Sequence, residues 1–227
     1  MKVIRRVFRV AGVLVVALIV SLAVTALCAP EGDWAELAET IASPECEEGA
    51  DRQIDWDSLP DEVVAWVEVP GTNIDEPIVQ ATPDAPNAYL YRDVFGQGAY
   101  GTPYIDCECS VDSRFVMVYG HHMSDGSVFA DFASFIDEAY AREHGEIIVY
   151  LRKGGALHFE PVAVDVVNAN RESLVIDQEV DFNDVIKDAD LILANPFEDE
   201  HLYAFTTCSY QTSNSRTVVF ACPWDVK

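Results

Sequence analysis

Apolar and polar residues alternate through Ala65-Trp66-Val67-Glu68-Val69, the period-two pattern of a strand with one buried face. Pro70-Gly71 then turns the chain. Residues 74–79 form a second short strand pattern, with Pro77 inside it suiting an edge or a bend. Runs rich in β-branched and aromatic residues at 115–119, 146–151, 157–167, 202–206 and 217–221 predict further strands. Gly154-Gly155 predicts a hairpin between the 146–151 and 157–167 runs. Helical spacing is found at Val128, Phe129, Phe132 and Phe135, again at Phe182, Val185, Ile186 and Ala189, and at Trp34, Leu37, Ala38 and Ile41. Ser58-Leu59-Pro60-Asp61-Glu62, with a capping residue, an early Pro and acids in the first turn, predicts one more helix start. Many short strands with few helices predict a mainly β barrel or sandwich, and one domain over 53–227 accounts for them.

A different pattern precedes that domain. Lys2, Arg5, Arg6 and Arg9 make residues 1–9 a basic segment, and residues 10–29 are apolar without a charge. About 20 such residues suffice to cross a bilayer as a helix, and the basic flank predicts a cytoplasmic N-terminal side with the rest outside. A cleaved signal peptide shares these features, but the run is long for one and lacks a clean Ala-x-Ala site. Cys28 would suit a lipoprotein, were Leu27 before it a small residue. An uncleaved single-pass anchor is therefore expected, followed by an acidic linker over 30–52 with its short helix. The formal net charge of -25, from 39 acidic and 14 basic residues, excludes nucleic acid as a partner, because phosphate contacts need clustered Lys and Arg.

The chemistry lies at the ends of two predicted strands. Val118-Tyr119-Gly120-His121-His122-Met123 ends one, and Phe205-Thr206-Thr207-Cys208 ends another, with Arg216 eight residues further on. A cysteine attacks a carbonyl as thiolate, a histidine exchanges its proton, and a guanidinium donates to the developing oxyanion. His121, Cys208 and Arg216 are thus the candidate catalytic set. The polar 209–215 loop would place Arg216 beside Cys208 on an adjacent strand, and Gly120 is expected to let the backbone turn so that His121 faces a neighbouring strand end. Cys208 in half of a disulfide, for instance with Cys222, is the competing reading. Pairing among Cys46, Cys107, Cys109 and Cys222 also stays open. Cys107-x-Cys109 beside the histidine pair is not a usual zinc spacing, so no metal is expected, and no cofactor motif is present.

These residues carry a resemblance. Tyr119-Gly120-His121-His122-Met123, then Asp125-Gly126-Ser127-Val128-Phe129, then Thr206-Thr207-Cys208-Ser209-Tyr210 with Arg216, resemble a sortase, most closely the class B sortases. Upstream, the stretch from Val64 to Gln80, Tyr89-Leu90-Tyr91-Arg92-Asp93 and Gly101-Thr102-Pro103-Tyr104-Ile105-Asp106 are similar to that group's elements in the same order. The resemblance implies a closed eight-stranded β-barrel with peripheral helices and a membrane-anchored cysteine transpeptidase. Cys208 would cleave a C-terminal sorting signal at a Thr-x bond through a thioester. His121 would be the general acid/base and Arg216 would hold the carbonyl. An amine of a peptidoglycan precursor or a pilin-like subunit would resolve the acyl-enzyme, and His122 would be structural or on the rim. The helical insertion at about 168–200 is where signal recognition is expected. Two departures stand out: Ala204-Phe205 in place of the family's Thr-Leu before the cysteine, and Cys107-Glu108-Cys109 in place of a Tyr-Arg-Asn-like segment. A purely hydrolytic secreted cysteine endopeptidase and a catalytically silent surface binding domain are the alternatives.

Overall fold

The computed structural model describes residues 52–96, 100–168, 177–194, 201–209 and 214–223. The basic segment, the apolar run and the linker helix lie outside the described residues. Among those described, no helix is long and apolar enough to cross a membrane.

The strands are β1 (Val63–Glu68), β2 (Asp75–Gln80), β3 (Tyr104–Ile105), β4 (Phe115–Gly120), β5 (Ile147–Leu151), β6 (Ala156–Asn168), β7 (Leu191–Ile192), β8 (Leu202–Ser209) and β9 (Ser215–Pro223). Each pairs with the next in the order β5-β1-β2-β3-β4-β8-β9-β6, and β5 pairs with β6 again. That last pairing closes a barrel of eight strands. The first part of β6 pairs with β5, which leaves its later edge open until β7 adds to it at Ala163 and Val164. β6 also carries a register irregularity against β9 between Pro161 and Ala163, where the proline has no N–H to donate to the ladder.

β1 shows the predicted alternation, with Val63, Ala65 and Val67 buried and their neighbours half-buried. Pro77 pairs opposite Trp66 on β1, while β3 covers only Val79 and Gln80 on the other side of β2. The proline therefore faces a stretch of edge where no N–H is required. Inside the barrel, Phe159, Tyr203 and Phe205 pack with Phe129, Phe132 and Phe135 in one contiguous core. Tyr203 is fully buried and donates its hydroxyl to Val111 O at 2.8 Å, so its polar end is satisfied.

Helices differ from expectation in length and type. A short 3-10 segment spans Trp56–Ser58, and the chain turns straight into β1, so no helix starts at Ser58. The β-branched pair Val63-Val64 pulls the segment into the sheet instead. The Phe129–Phe135 region is a 3-10 segment, Ala130–Ile136, followed by helix α1 (Glu138–Glu143), which Asp137 caps by accepting from Ala139 N and Tyr140 N. In the insertion, α2 is limited to Phe182–Ile186, capped by Asp181. Gln178 clamps the insertion to β4 by accepting from Phe115 N at 2.8 Å and donating to Phe115 O at 2.9 Å. Arg114 reinforces this with bonds to Gln178 O and Val180 O, and its guanidinium lies over the Phe182 ring.

Candidate active site

β4 runs parallel to β8, in register from Phe115 opposite Leu202 to Gly120 opposite Thr207. His121 and Cys208 are the next residues, so they leave that ladder on neighbouring strands. β8 and β9 are antiparallel, and Cys208 lies directly opposite Arg216. The three candidate residues therefore occupy the ends of three consecutive strands in the order His121, Cys208, Arg216, at the strand spacing of about 4.8 Å. This is the placement the 209–215 loop predicts. The Cys208–Arg216 rung is fixed on both sides. Thr207 faces Thr217 one rung earlier, and one rung later Ser209 Oγ meets Ser215 Oγ at 3.0 Å while Ser215 Oγ donates to Ser209 O at 2.8 Å.

His121 is oriented from the opposite side. Its Nε2 is hydrogen-bonded to the carbonyl of Leu90. A carbonyl only accepts, so Nε2 carries the proton and Nδ1 keeps the lone pair of a base. The Tyr91 ring lies 5.9 Å from the imidazole centroid. Gly101, with φ +73°, gives this ring its room, since a Cβ there would stand 2.5 Å from Leu90 O and 2.9 Å from His121 Cδ2. Gly120 works differently from the turn expected of it. Its φ is not in the left-handed region, and an added Cβ would lie 2.3 Å from the Phe129 ring. The glycine admits a buried ring; it does not bend the chain.

His122, expected to be structural or on the rim, donates from Nδ1 to the backbone carbonyl of Cys208 at 2.9 Å. No sequence spacing points to this contact, because it joins positions 86 residues apart. Arg216 directs Nη1 to Asn214 Oδ1 at 3.3 Å and to Ser215 O at 3.1 Å. Its Nε and Nη2 have no partner among the described residues. A guanidinium so held has donors left for a carbonyl on the adjacent cysteine.

The other thiols differ in character. Among the described residues, Cys107, Cys109 and Cys208 carry no disulfide. Burial pushes Cys109 up to about 11, and burial with the nearby Asp106 carboxylate raises Cys107 as well. Both stay protonated at neutral pH and are poor nucleophiles. Gln80 fixes that segment by donating to Asp106 O and Cys109 O. Among the described residues no three His, Cys, Asp or Glu side chains form a metal-binding group.

A family model described as a sortase domain matches residues 67–223. Sortase B of Listeria monocytogenes is 25% identical over 145 residues, covering 60% of this chain and 56% of that protein. The aligned part thus spans little more than half the length of that relative. Among solved structures, a Streptococcus pyogenes class B sortase involved in pilus biogenesis has a TM-score of 0.64 at 24% identity, over 75% of this chain and 96% of that one. A Staphylococcus aureus sortase B–substrate complex has a TM-score of 0.63 at 18% identity, over 76% and 84% respectively. At these identities the solved structures establish the fold.

Proposed function

The chain belongs to the sortase family, with a sortase-B-like cysteine transpeptidase domain, and from that premise we propose how its own residues divide the reaction. Cys208 is the nucleophile, His121 the general acid/base and Arg216 the donor to the substrate carbonyl. The observation that carries this reading is the Cys208–Arg216 rung flanked by His121 at the end of the next strand.

The Cys208 sulfur attacks the carbonyl of a Thr-x bond, its proton having passed to His121. Charge developing on the carbonyl oxygen is met by the Arg216 guanidinium, a donor already placed before the reaction starts. The imidazolium gives its proton to the departing amine, the C–N bond breaks, and a thioester remains. An incoming amine reverses the sequence: its nitrogen bonds to the carbonyl, its proton goes to His121, and the sulfur leaves. Here the donor is a protein with a C-terminal sorting signal, and the acceptor is an amine of a peptidoglycan precursor or a pilin-like subunit. The substrate complex of the Staphylococcus aureus enzyme and the pilus role of the Streptococcus pyogenes enzyme support these classes of partner by analogy. The uncharged run over 10–29 with its basic flank supports a single-pass anchor, with the catalytic domain over 53–227 outside the cell.

The test uses the full chain, a fluorogenic library of Thr-containing pentapeptides as donor and triglycine as acceptor. Wild type is expected to yield both cleaved and ligated peptide, and Cys208→Ala neither. Full activity in Cys208→Ala overturns the proposal. Cleavage without any ligated product assigns the chain to hydrolysis alone.

A further inference from the structure

The strand ladder does not itself hold the nucleophile against the base. Pairing between β4 and β8 ends at Gly120 and Thr207, one residue short of both reactive side chains. What continues the connection is a side chain, the Nδ1–H of His122 donating to Cys208 O at 2.9 Å. The loop that presents His122 is fixed in its turn. His122 forms an isolated bridge with Val128, and Phe129 N donates to His121 O at 2.9 Å. Phe129 is fully buried and locks the far end of the loop into the core. Val128 has φ +60°, a conformation that β-branched residues avoid and that persists only where the surroundings impose it. One such constraint is visible, since the Val128 backbone lies against the Glu76 carboxyl on β2.

We propose that His122 is a positioning residue for the transpeptidation: its bond to the Cys208 carbonyl sets the nucleophile's strand end against the loop that carries His121. This rests on the role given to Cys208 under the proposed function. The two adjacent histidines then have separate duties. His121, tied to Leu90 O through Nε2, keeps a nitrogen for proton exchange, while His122 commits Nδ1–H to the backbone. A shift of about 1 Å between reacting groups costs on the order of 100-fold in rate, so a tie at this point acts on turnover more than on substrate binding.

Three variants of the full chain test it with the same donor library and triglycine. His122→Ala is expected to lower kcat about ten-fold, the upper range for one lost hydrogen bond. The donor KM should stay within about two-fold, and alkylation of Cys208 by iodoacetamide should slow. His122→Asn, which returns an N–H near the Nδ1 position, is expected to recover most of the rate. His121→Ala, run in parallel, should lose at least about 1,000-fold. The proposal is overturned if His122→Ala turns over and alkylates like wild type, or if His122→Asn is no better than His122→Ala once both are shown folded by thermal melting. If His122→Ala is silent and His121→Ala is not, His122 itself exchanges the proton; the positioning role falls while the nucleophile stands. Activity in Cys208→Ala would remove the underlying reading and the proposal with it.

Discussion

At the scale of single residues, the site depends on places where a side chain is missing as much as on those present. Gly101 and Gly120 each border a ring that leaves no space for a methyl group, His121 in one case and Phe129 in the other. Gly120→Ala is expected to destabilise the fold by about 1–3 kcal/mol, as overpacking of a dense core does. A melting experiment would read this as a drop of about 3–10 °C. Gly101→Ala displaces the imidazole directly, so its kcat should fall by more than about ten-fold. Glu76 adds a pH dependence. Burial pushes its carboxyl up to about 7, and the Asp75 and Asp93 carboxylates add to the rise while the Val128 N–H opposes it. The unfolded chain releases this proton near the ordinary value of 4.5, so between about 4.5 and 7 the native state binds more protons. Stability therefore falls as pH rises through that window and stays lower above it. Glu76→Gln keeps an acceptor for Val128 and cannot ionise. Its melting temperature should gain on wild type between pH 5 and pH 8, and a constant difference across that range would refute the assignment.

At the scale of elements, the 3-10 segment Ala130–Ile136 backs β8, the strand that carries Cys208. Phe132 stacks on Phe205 of β8, with centroids 5.1 Å apart and planes 18° apart, and meets Phe129 edge-on at 4.9 Å. Phe132→Ala should cost about 3–5 kcal/mol, visible as a lower denaturant midpoint. The same segment shows what periodicity conveys and what it hides. Phe129, Phe132 and Phe135 recur every third residue, the repeat of a 3-10 helix, and over so short a run that is indistinguishable from an α-helical stripe. α1 escaped notice because only Ala141 of it is buried, which leaves no apolar stripe to read. β3 and β7, two residues each, are too short to alternate. β1 was legible because a half-buried strand must alternate, β4, β5, β6, β8 and β9 because strands buried along most of their length draw on β-branched and aromatic residues, and Cys208 opposite Arg216 because a short polar loop between two strands implies a hairpin. The contact from His122 to Cys208 was not, since it exists only after distant strands pair.

At the scale of the whole molecule, β5 and β6 close the barrel, and the chain carries a formal charge of -25. Self-repulsion of that size is screened by salt, so the melting temperature should rise between about 0.01 and 0.15 M NaCl. A flat or falling response would mean that local ion pairs dominate. The parallel pairing of β4 with β8 has one more consequence, and it concerns time. Antiparallel neighbours form from a hairpin, but a parallel pair waits for a long crossover, and such non-local contacts are the slow part of folding. Until that step His121 and Cys208 of a newly made chain are still on separate stretches of polymer. The proposed site is assembled only by the completion of the fold, so recovery of activity in a refolding experiment would report the moment at which the barrel becomes whole.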